Sequence, residues 1–246
     1  MMIKKLLFTF SLVLTIGLGG CIKDTNMNTV AEAGMDFLKA ATLSDESVRT
    51  MSKQTIEHQD GENKIASASN HYSERLRRLT QKYTHVNDIP LNFKVYLSKD
   101  VNAFAVPDGS VRVMTGLMDL MDDDELMFVV GHEIGHVALG HSKKQMQLAY
   151  ATSGARKVAA SQNNTAGRLA SSELGGFATA LINAQFSQRE ETESDDYGLK
   201  LMKEKGLNTK KAVSALKKLA DLGGSHSILS SHPEPNQRAT RMEEQL

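Results

Sequence analysis

The pattern that constrains this chain most is His132-Glu133-Ile134-Gly135-His136, which lies within a largely apolar run. The apolar residues around it recur with helical spacing, and they cover so much of the helix surface that most of it must be buried. Asp122 and Glu125 precede the run with the spacing of a capping box and give it an acidic first turn. The sequence therefore predicts a buried helix, capped at Asp122, that carries two histidines and a glutamate.

On such a helix the two histidines lie on one face. Four residues advance a helix by about 400°, so the imidazoles of His132 and His136 are about 40° apart and about 6 Å apart along the axis. Both can reach a single Zn²⁺ at about 2.0–2.1 Å, and Glu133 lies beside them, where it can take a proton from zinc-bound water. The alternative is a buried polar patch, which would cost several kcal/mol without partners. Zinc, one ion per chain, is the better explanation.

The third ligand is expected from another helix. Glu191 and Asp195 are four residues apart and share a face, so Glu191 can complete a His₂Glu site while Asp195 holds a liganding imidazole through its other N–H. On spacing alone Glu190 or Glu193 could serve instead, and an acidic cluster is more often a solvated helix face. His141 would lie about 140° around a continuous helix from His136, so we interpret it as a surface histidine or one that contacts a ligand from outside.

Together these motifs resemble a known family. The segment 132–136 with Glu191-Thr192-Glu193-Ser194-Asp195 is similar to the H-E-x-x-H … E-x-E-A-D pair of the HtpX, BepA and LoiP lineage of gluzincin zinc metallopeptidases, LoiP-type periplasmic lipoproteins in particular. Ser194 stands where Ala is usual. The similarity covers most of the mature chain, through residues 100–105, 116–119, 131–141, 186–189 and an H-P-x₄-R element formed by His232, Pro233 and Arg238.

The resemblance implies Glu191 as the ligand and Asp195 as the residue that holds a histidine ligand. It also implies an α+β fold, a mainly helical zincin-type metallopeptidase domain with a small β-sheet or hairpin beside the active-site helix. Peptide-bond hydrolysis is then the expected activity, with Glu133 as general base. The alternative function is a zinc-stabilised chaperone-like or binding lipoprotein without significant proteolysis, although such a protein would have no use for Glu133.

His232 is a candidate for a further catalytic role. The developing oxyanion needs zinc and one more donor, and a His-Pro pair on a C-terminal loop could bring an imidazole into the cleft. The same residue could instead bind zinc in a resting state and exclude water, or it could be a surface histidine.

Several other elements follow from local patterns. Residues 71–83 have the spacing of an amphipathic helix, Phe93, Val95 and Leu97 alternate as in a half-buried strand, and helices are expected at roughly 186–204 and 208–222. Segments 103–106 and 111–114 flank the turn sequence Pro107-Asp108-Gly109-Ser110, which predicts a β-hairpin. The segment 149–185 is rich in Ala, Gly and Ser, and we interpret it as closely packed helices, a mobile flap, or both.

The hairpin is also the expected substrate site. An extended peptide would add a strand along Asn102, Ala103, Phe104 and Ala105 to Val106. The alternative is a purely structural strand. The family resemblance implies unfolded or misassembled envelope proteins as substrates.

The N-terminal sequence predicts export from the cytoplasm and attachment to a membrane. Lys4 and Lys5 precede 13 uncharged, mostly apolar residues, 6–18, a run too short to span a membrane but typical of a signal peptide. The run ends in Leu18-Gly19-Gly20-Cys21, which resembles a bacterial lipobox. We expect residues 1–20 as lipoprotein signal peptide, 21–45 as lipidated N-terminus and tether, and 46–246 as the metallopeptidase domain. By resemblance to lipoprotein sorting rules, Ile22 favours the outer membrane, facing the periplasm. An ordinary signal peptide with an incidental Cys21 is the alternative.

Composition excludes several other classes. Lys plus Arg and Asp plus Glu both number 29, which argues against a generic nucleic-acid binder. A single Cys excludes an internal disulfide and Cys-based zinc fingers. The family resemblance and the lipobox-like segment imply as partners protein or peptide substrates, the membrane through the lipid on Cys21, and other envelope proteins.

Overall fold

The computed structural model describes residues 44–149, 185–223 and 227–246. The expected signal peptide, Cys21 and nearly all of the expected tether lie outside the described residues. The same holds for nearly all of the segment 149–185. None of the helices among the described residues combines the length and the hydropathy that a membrane span requires.

Helices make up most of the described structure and surround a small sheet, which confirms the α+β prediction. The helices are α1 (Asp45–Glu62), α2 (His71–Thr80), α3 (Thr115–Leu120), α4 (Asp123–Ala138), α5 (Gln188–Lys205), α6 (Lys210–Asp221), α7 (Ser227–Ser231) and α8 (Pro235–Glu243), and residues 141–149 are also helical. The strands are β1 (His85–Val86), β2 (Ile89–Pro90), β3 (Asn92–Tyr96), β4 (Ala103–Ala105) and β5 (Ser110–Met114).

The three-stranded sheet has the order β3-β5-β4, with β3 parallel and β4 antiparallel to β5. The β4–β5 pair is the predicted hairpin, with Ala103 opposite Val113. Its turn depends on Gly109, whose φ of +88° lies in the left-handed region, and on Asp108, which accepts a hydrogen bond from the Ser110 amide. The hairpin prediction is confirmed.

The strand predicted at 93–97 is observed as β3, but its half-buried alternation is wrong. Val95 and Tyr96 are both buried although they point to opposite faces. Val95 packs in the main core, whereas Tyr96 packs in a second cluster with Val48 and Ile56 of α1. Because α1 covers the second face, the sheet is shielded on both sides and the simple alternation is lost.

α4 is the central helix, and it packs against α5, α6 and β4. Its capping box is confirmed: the Asp122 carboxylate accepts from the amides of Asp124 and Glu125, and the Glu125 side chain accepts from the Asp122 amide. The predicted helices near 71–83, 186–204 and 208–222 are observed as α2, α5 and α6. Glycines at the α4–α5 contact let the two helices approach closely, and this contact positions the site.

Candidate metal centre

α4 carries His132, Glu133 and His136 into the interior, where each is at most 3% exposed. The Nε2 atoms of the two histidines lie 2.9 Å apart, as expected for imidazoles one turn apart on the same face. The helix thus directs two nitrogen lone pairs toward one point.

α5 adds Glu191 to this point. Its Oε1 is 3.2 Å from His136 Nε2, and its Oε2 is 3.7 Å from His132 Nε2. The other two acids that spacing allowed have different partners. Glu190 forms a capping box with Ser187, and Glu193 pairs with Arg189. Glu191 is therefore the acid of this segment that meets both histidines.

His232, which directly follows α7, reaches the same point from the C-terminal part of the chain. Its Nδ1 lies 3.0 Å from Glu191 Oε1 and 3.2 Å from His132 Nε2, and its Nε2 lies 3.3 Å from Glu133 Oε1. Because His232 is only 5% exposed, the surface interpretation of this residue is wrong.

These residues fit a zinc ion. One potential ligand atom from each of His132, His136, Glu191 and His232 lies within 4.8 Å of the others. Three imidazoles and a carboxylate are donors that zinc prefers. Imidazole nitrogens at such short mutual distances cannot all carry protons, so a shared cation accounts for the arrangement better than hydrogen bonds alone.

The Nδ1 atom of His132, which points away from the cluster, contacts Asp195, and Asp195 in turn is bound by Arg238. His132 Nδ1 is 2.9 Å from Asp195 Oδ1, the contact that the i, i+4 spacing from Glu191 predicted. Arg238 of α8 binds Asp195 with two nitrogens, at 2.8 and 2.6 Å, and forms an ion pair with Glu191. Burial would raise the pKa of Asp195, but Arg238 and His132 lower it to about 2, so this carboxyl stays ionised and accepts the His132 N–H.

The outer side of His136 contacts Phe186 and His141. The Phe186 ring stacks on the imidazole at 3.6 Å between centroids, with an interplanar angle of 19°. His141 Nδ1 lies 3.2 Å from His136 Nδ1, and His141 is buried, so its interpretation as a surface histidine is wrong and the structure agrees with the alternative, a histidine that contacts a ligand from outside. The continuous helix assumed for the 140° estimate ends at Ala138, and Gly140, with a φ of +77°, turns the chain back.

The electrostatics suit a metal centre with an adjacent base. Burial raises the pKa of Glu133 and lowers that of His136 well below its ordinary value, which keeps this imidazole neutral. Burial would also raise the pKa of Glu191, but Arg238 and the nearby imidazoles hold it well below its usual range. His232 is the opposite case: burial lowers its pKa, but Glu191 and Glu133 raise it above the ordinary value.

A narrow pocket connects the site with the hairpin. It is lined by Phe104, Ala105, Val106, Glu133, Gln145, Phe186, Ser231 and His232 and has a volume of about 10 Å³, roughly one water molecule. β4 is an edge strand of its sheet, yet Asn102, Ala103, Phe104 and Ala105 are all buried. In this conformation β4 thus lies beside Glu133, and the pocket between them has no room for a peptide.

Three functional contacts were not assigned from the sequence. The H-P-x₄-R element indicated that Arg238 has a role, but the sequence did not indicate which residues it contacts. Phe186 lay in a segment that resembles the family, again without a role. For His141 the sequence left two alternatives open, a surface position and a contact with a ligand from outside, because the helix geometry used for it does not apply beyond Ala138.

Comparison with known proteins gives a consistent result. Residues 70–246 match the model of peptidase family M48. The chain is 40% identical to metalloprotease LoiP of Escherichia coli strain K12 over 249 residues, covering 100% of this chain and 98% of LoiP. It is 39% identical to metalloprotease YcaL of the same strain, covering 91% of this chain and 88% of YcaL. It is also 27% identical to the mitochondrial metalloendopeptidase OMA1 of Schizosaccharomyces pombe, with 71% and 52% covered.

The family match covers most of the chain, and the site supplies the donor set that a zinc peptidase requires. The chain belongs to peptidase family M48, and it is a zinc-dependent metalloendopeptidase.

Proposed function

We propose that this protein is a membrane-tethered endopeptidase of the bacterial envelope, in which His132, His136 and Glu191 hold zinc and Glu133 is the general base. The proposal of catalysis rests on the surroundings of the Glu133 carboxylate. This carboxylate is buried beside the metal cluster and a water-sized pocket, and its Oε1 accepts no hydrogen bond among the described residues, with His232 Nε2 as its neighbour at 3.3 Å. A structural zinc site does not require such a group.

The residues divide the work of hydrolysis among them. When bound, zinc supplies Lewis-acid chemistry that polarises the scissile carbonyl and lowers the pKa of a water molecule. Glu133 accepts the proton of the attacking water and then delivers it to the leaving amine. Its raised pKa favours this exchange, because it brings the proton affinity of the carboxylate closer to that of the groups it serves.

His232 is proposed as the donor to the oxyanion. Its imidazole reaches the same cluster as Glu133, with Nε2 3.3 Å from Glu133 Oε1, where an N–H can be donated to the oxyanion. The resting-state alternative, in which His232 binds zinc itself, predicts a different outcome for His232→Ala. As a donor, its loss lowers kcat about 10²–10³-fold at unchanged zinc affinity. As a resting ligand, its loss weakens zinc binding and does not reduce turnover.

The central experiment compares casein cleavage by the soluble mature protein and by Glu133→Gln, with the zinc content of both measured. The expected result is a loss of at least 10²-fold in cleavage at stoichiometric zinc in the variant. Glu204→Gln, which removes an exposed carboxylate, is the matched control and should cleave normally. Stoichiometric zinc without cleavage by the unaltered protein would favour the chaperone-like or binding function instead.

The substrate is proposed to bind as an added strand along 102–106. The edge position of β4 and its closeness to Glu133 support this proposal. Because the pocket holds roughly one water, the covering residues must move before a peptide can enter. A product-derived peptide that protects the amides of 102–106 from hydrogen exchange would support it, and protection elsewhere would contradict it.

The tether and location rest on the N-terminal sequence. The lipobox-like Leu18–Cys21 supports lipidation at Cys21, and Ile22 supports the outer membrane. Unfolded or misassembled envelope proteins are the proposed substrates. Replacing Cys21 with Ser should move the protein from the membrane to the soluble fraction of the periplasm. If Cys21→Ser stays in the membrane fraction, Cys21 is not the anchor.

A further inference from the structure

The outward-facing nitrogen of His136 needs a partner. Its Nε2 faces the cluster, 3.2 Å from Glu191 Oε1, so its Nδ1 points away from the metal position. A neutral imidazole that gives its Nε2 lone pair to a metal carries its proton on Nδ1. His136 is fully buried, and a buried N–H without an acceptor is costly.

His141 is placed to accept a hydrogen bond from this N–H. Its Nδ1 lies 3.2 Å from His136 Nδ1, and its Nε2 lies 3.1 Å from Glu193 Oε2. The other oxygen of Glu193 accepts from Arg189 Nε at 2.8 Å. An ionised carboxylate only accepts hydrogen bonds, so the tautomer of His141 that fits Glu193 carries its proton on Nε2 and a lone pair on Nδ1.

We infer that His141 is a positioning residue of the metal centre, which fixes the tautomer and the ring orientation of His136 by accepting its Nδ1–H. The inference rests on the proposed role of His136 as a zinc ligand. The metal centre then has two sets of supporting contacts, one behind each histidine ligand. One runs from His132 through Asp195 to Arg238, and the other from His136 through His141 and Glu193.

The contacts behind His136 differ from those behind His132, because the imidazole of His141 lies between the ligand His136 and the carboxylate of Glu193. A carboxylate in direct contact makes its histidine a stronger donor to the metal, whereas His141 contacts His136 through its Nδ1 and keeps the carboxylate of Glu193 on its far side. Gly140 makes this arrangement possible. Its φ of +77° turns the chain after α4, and a side chain there would meet nothing within 4 Å, so the position requires backbone freedom rather than space.

One other group competes for the same lone pair. The hydroxyl of Ser194 lies 3.2 Å from His141 Nδ1. The His136 Nδ1 and the Ser194 hydroxyl lie at the same distance from His141 Nδ1, so the two groups compete for one lone pair. Ser194→Ala removes the competitor and little volume, which makes it a matched control.

The test compares His141→Leu with His141→Asn in the full mature protein. Asn places an amide oxygen near the position of Nδ1 and keeps an acceptor, whereas Leu removes it. Zinc affinity is measured by competition with a chromogenic chelator, and the absorption spectrum of the Co²⁺ form reports ligand geometry. We expect Leu to weaken zinc binding about 10–100-fold and to alter the spectrum. Asn should stay within about threefold of the unaltered protein, as should Ser194→Ala.

Equal zinc affinities for His141→Leu and the unaltered protein would overturn the inference. So would an Asn variant that loses as much affinity as Leu, because packing and not the acceptor would then be responsible. If His141→Leu does not fold in chelator, Glu193→Ala decides, since Glu193 is partly exposed and Ala removes the acceptor of the His141 Nε2–H: weakened zinc binding supports the inference and unchanged binding opposes it. Failure of the proposed function would look different, as an unaltered protein that binds no zinc or a Glu133→Gln variant that remains active.

Discussion

Arg238 determines the charge state of the metal centre at the level of single residues. It is 7% exposed and binds both Asp195 and Glu191, which would otherwise be two neighbouring buried carboxylates. Without a cation, two such carboxylates cannot both remain ionised at ordinary pH. A carboxylate must be ionised to bind zinc or to accept from a histidine, so both functions depend on Arg238.

Replacing Arg238 with Gln should therefore shift zinc release to higher pH. The pKa of Glu191 is depressed in the folded protein, so its contribution is present at neutral pH and is lost as the pH falls through that value. Removing the guanidinium raises this pKa, and the loss then begins at higher pH. Zinc occupancy measured from pH 8 to pH 4 should show the shift, and stability should fall by roughly 3–5 kcal/mol.

Arg241→Gln is the matched control, because Arg241 lies one turn later on α8 and pairs with the partly exposed Asp196 of α5. Its zinc release should follow that of the unaltered protein. Coincident release curves for the two variants would show that Arg238 does not set the charge of the site.

How far the sequence predicts the site depends on how local each relation is. His132 and His136 are one turn apart, so helix geometry alone places them together. Glu191 could not be separated from Glu190 and Glu193 by spacing, because their partners come from other parts of the fold. The capping box of Ser187 with Glu190 was readable, however, and it would have removed one candidate.

Among the elements, the contact between α4 and α5 sets the distance between the histidines and Glu191. A Cβ on Gly198 of α5 would lie 3.0 Å from the Phe128 carbonyl oxygen and 3.1 Å from the His132 amide nitrogen. Both atoms belong to the backbone of α4 and cannot move aside independently. Gly198 is therefore required for the close approach of the two helices.

Gly198→Ala should separate these helices and weaken the metal centre. We expect a loss of about 1–3 kcal/mol in stability and a measurable drop in zinc affinity, because Glu191 moves with α5. Gly61→Ala is the control, since Gly61 lies in α1 with nothing within 4 Å of an added Cβ. It should gain up to about 1 kcal/mol and leave zinc binding unchanged. A Gly198→Ala protein with normal zinc affinity would contradict this role of the contact.

α1 is tied to the sheet by a polar cluster around Asp60. Its carboxylate accepts from Arg112 of β5, Lys94 and the Tyr96 hydroxyl, and Arg112 is 1% exposed. Burial would raise the pKa of Asp60, but these donors lower it from 3.8 to about 2. The contribution of the cluster to stability is thus present above about pH 4 and is lost as the pH falls toward 2.

Asp60→Asn should therefore lower stability most at neutral pH. We expect a loss of about 3 kcal/mol at pH 7, because Arg112 remains buried without its counter-ion, and a smaller difference at pH 3. Urea unfolding at the two pH values measures both. A difference that is equal at pH 7 and pH 3 would contradict the ionic contribution of Asp60.

The sequence predicts helices and turns well where capping or turn residues mark their ends. It predicts burial poorly where the burial depends on an element far away in the chain. Asp122 and Glu125 specify the start of α4, and Gly109 specifies the hairpin turn. The end of α4 also had a signal in Gly140, but helix geometry was extended past it, and as a result the sequence could not decide between a surface position for His141 and a contact with a ligand. The burial of Tyr96 depends on α1, which no local pattern relates to β3.

For the whole molecule, the metal centre joins regions that are far apart in the chain. His132 and His136 come from α4, Glu191 from α5, and His232 from the C-terminal part. The distance from His132 to His232 is 100 residues along the chain. A ligand that binds only the folded state stabilises it by mass action, and a site assembled from distant segments does not exist in the unfolded chain.

Removing the metal should therefore destabilise the entire domain and not only its site. At zinc concentrations about 1,000 times the dissociation constant, binding contributes about 4 kcal/mol, which corresponds to roughly 10 °C in Tm for a domain of this size. EDTA should lower the Tm by this amount in the unaltered protein and in His85→Ala, which replaces an exposed histidine. His136→Ala should start at the lower Tm and not respond to EDTA. An unaltered protein whose Tm is the same with zinc and with EDTA would show that these segments are held together without the metal.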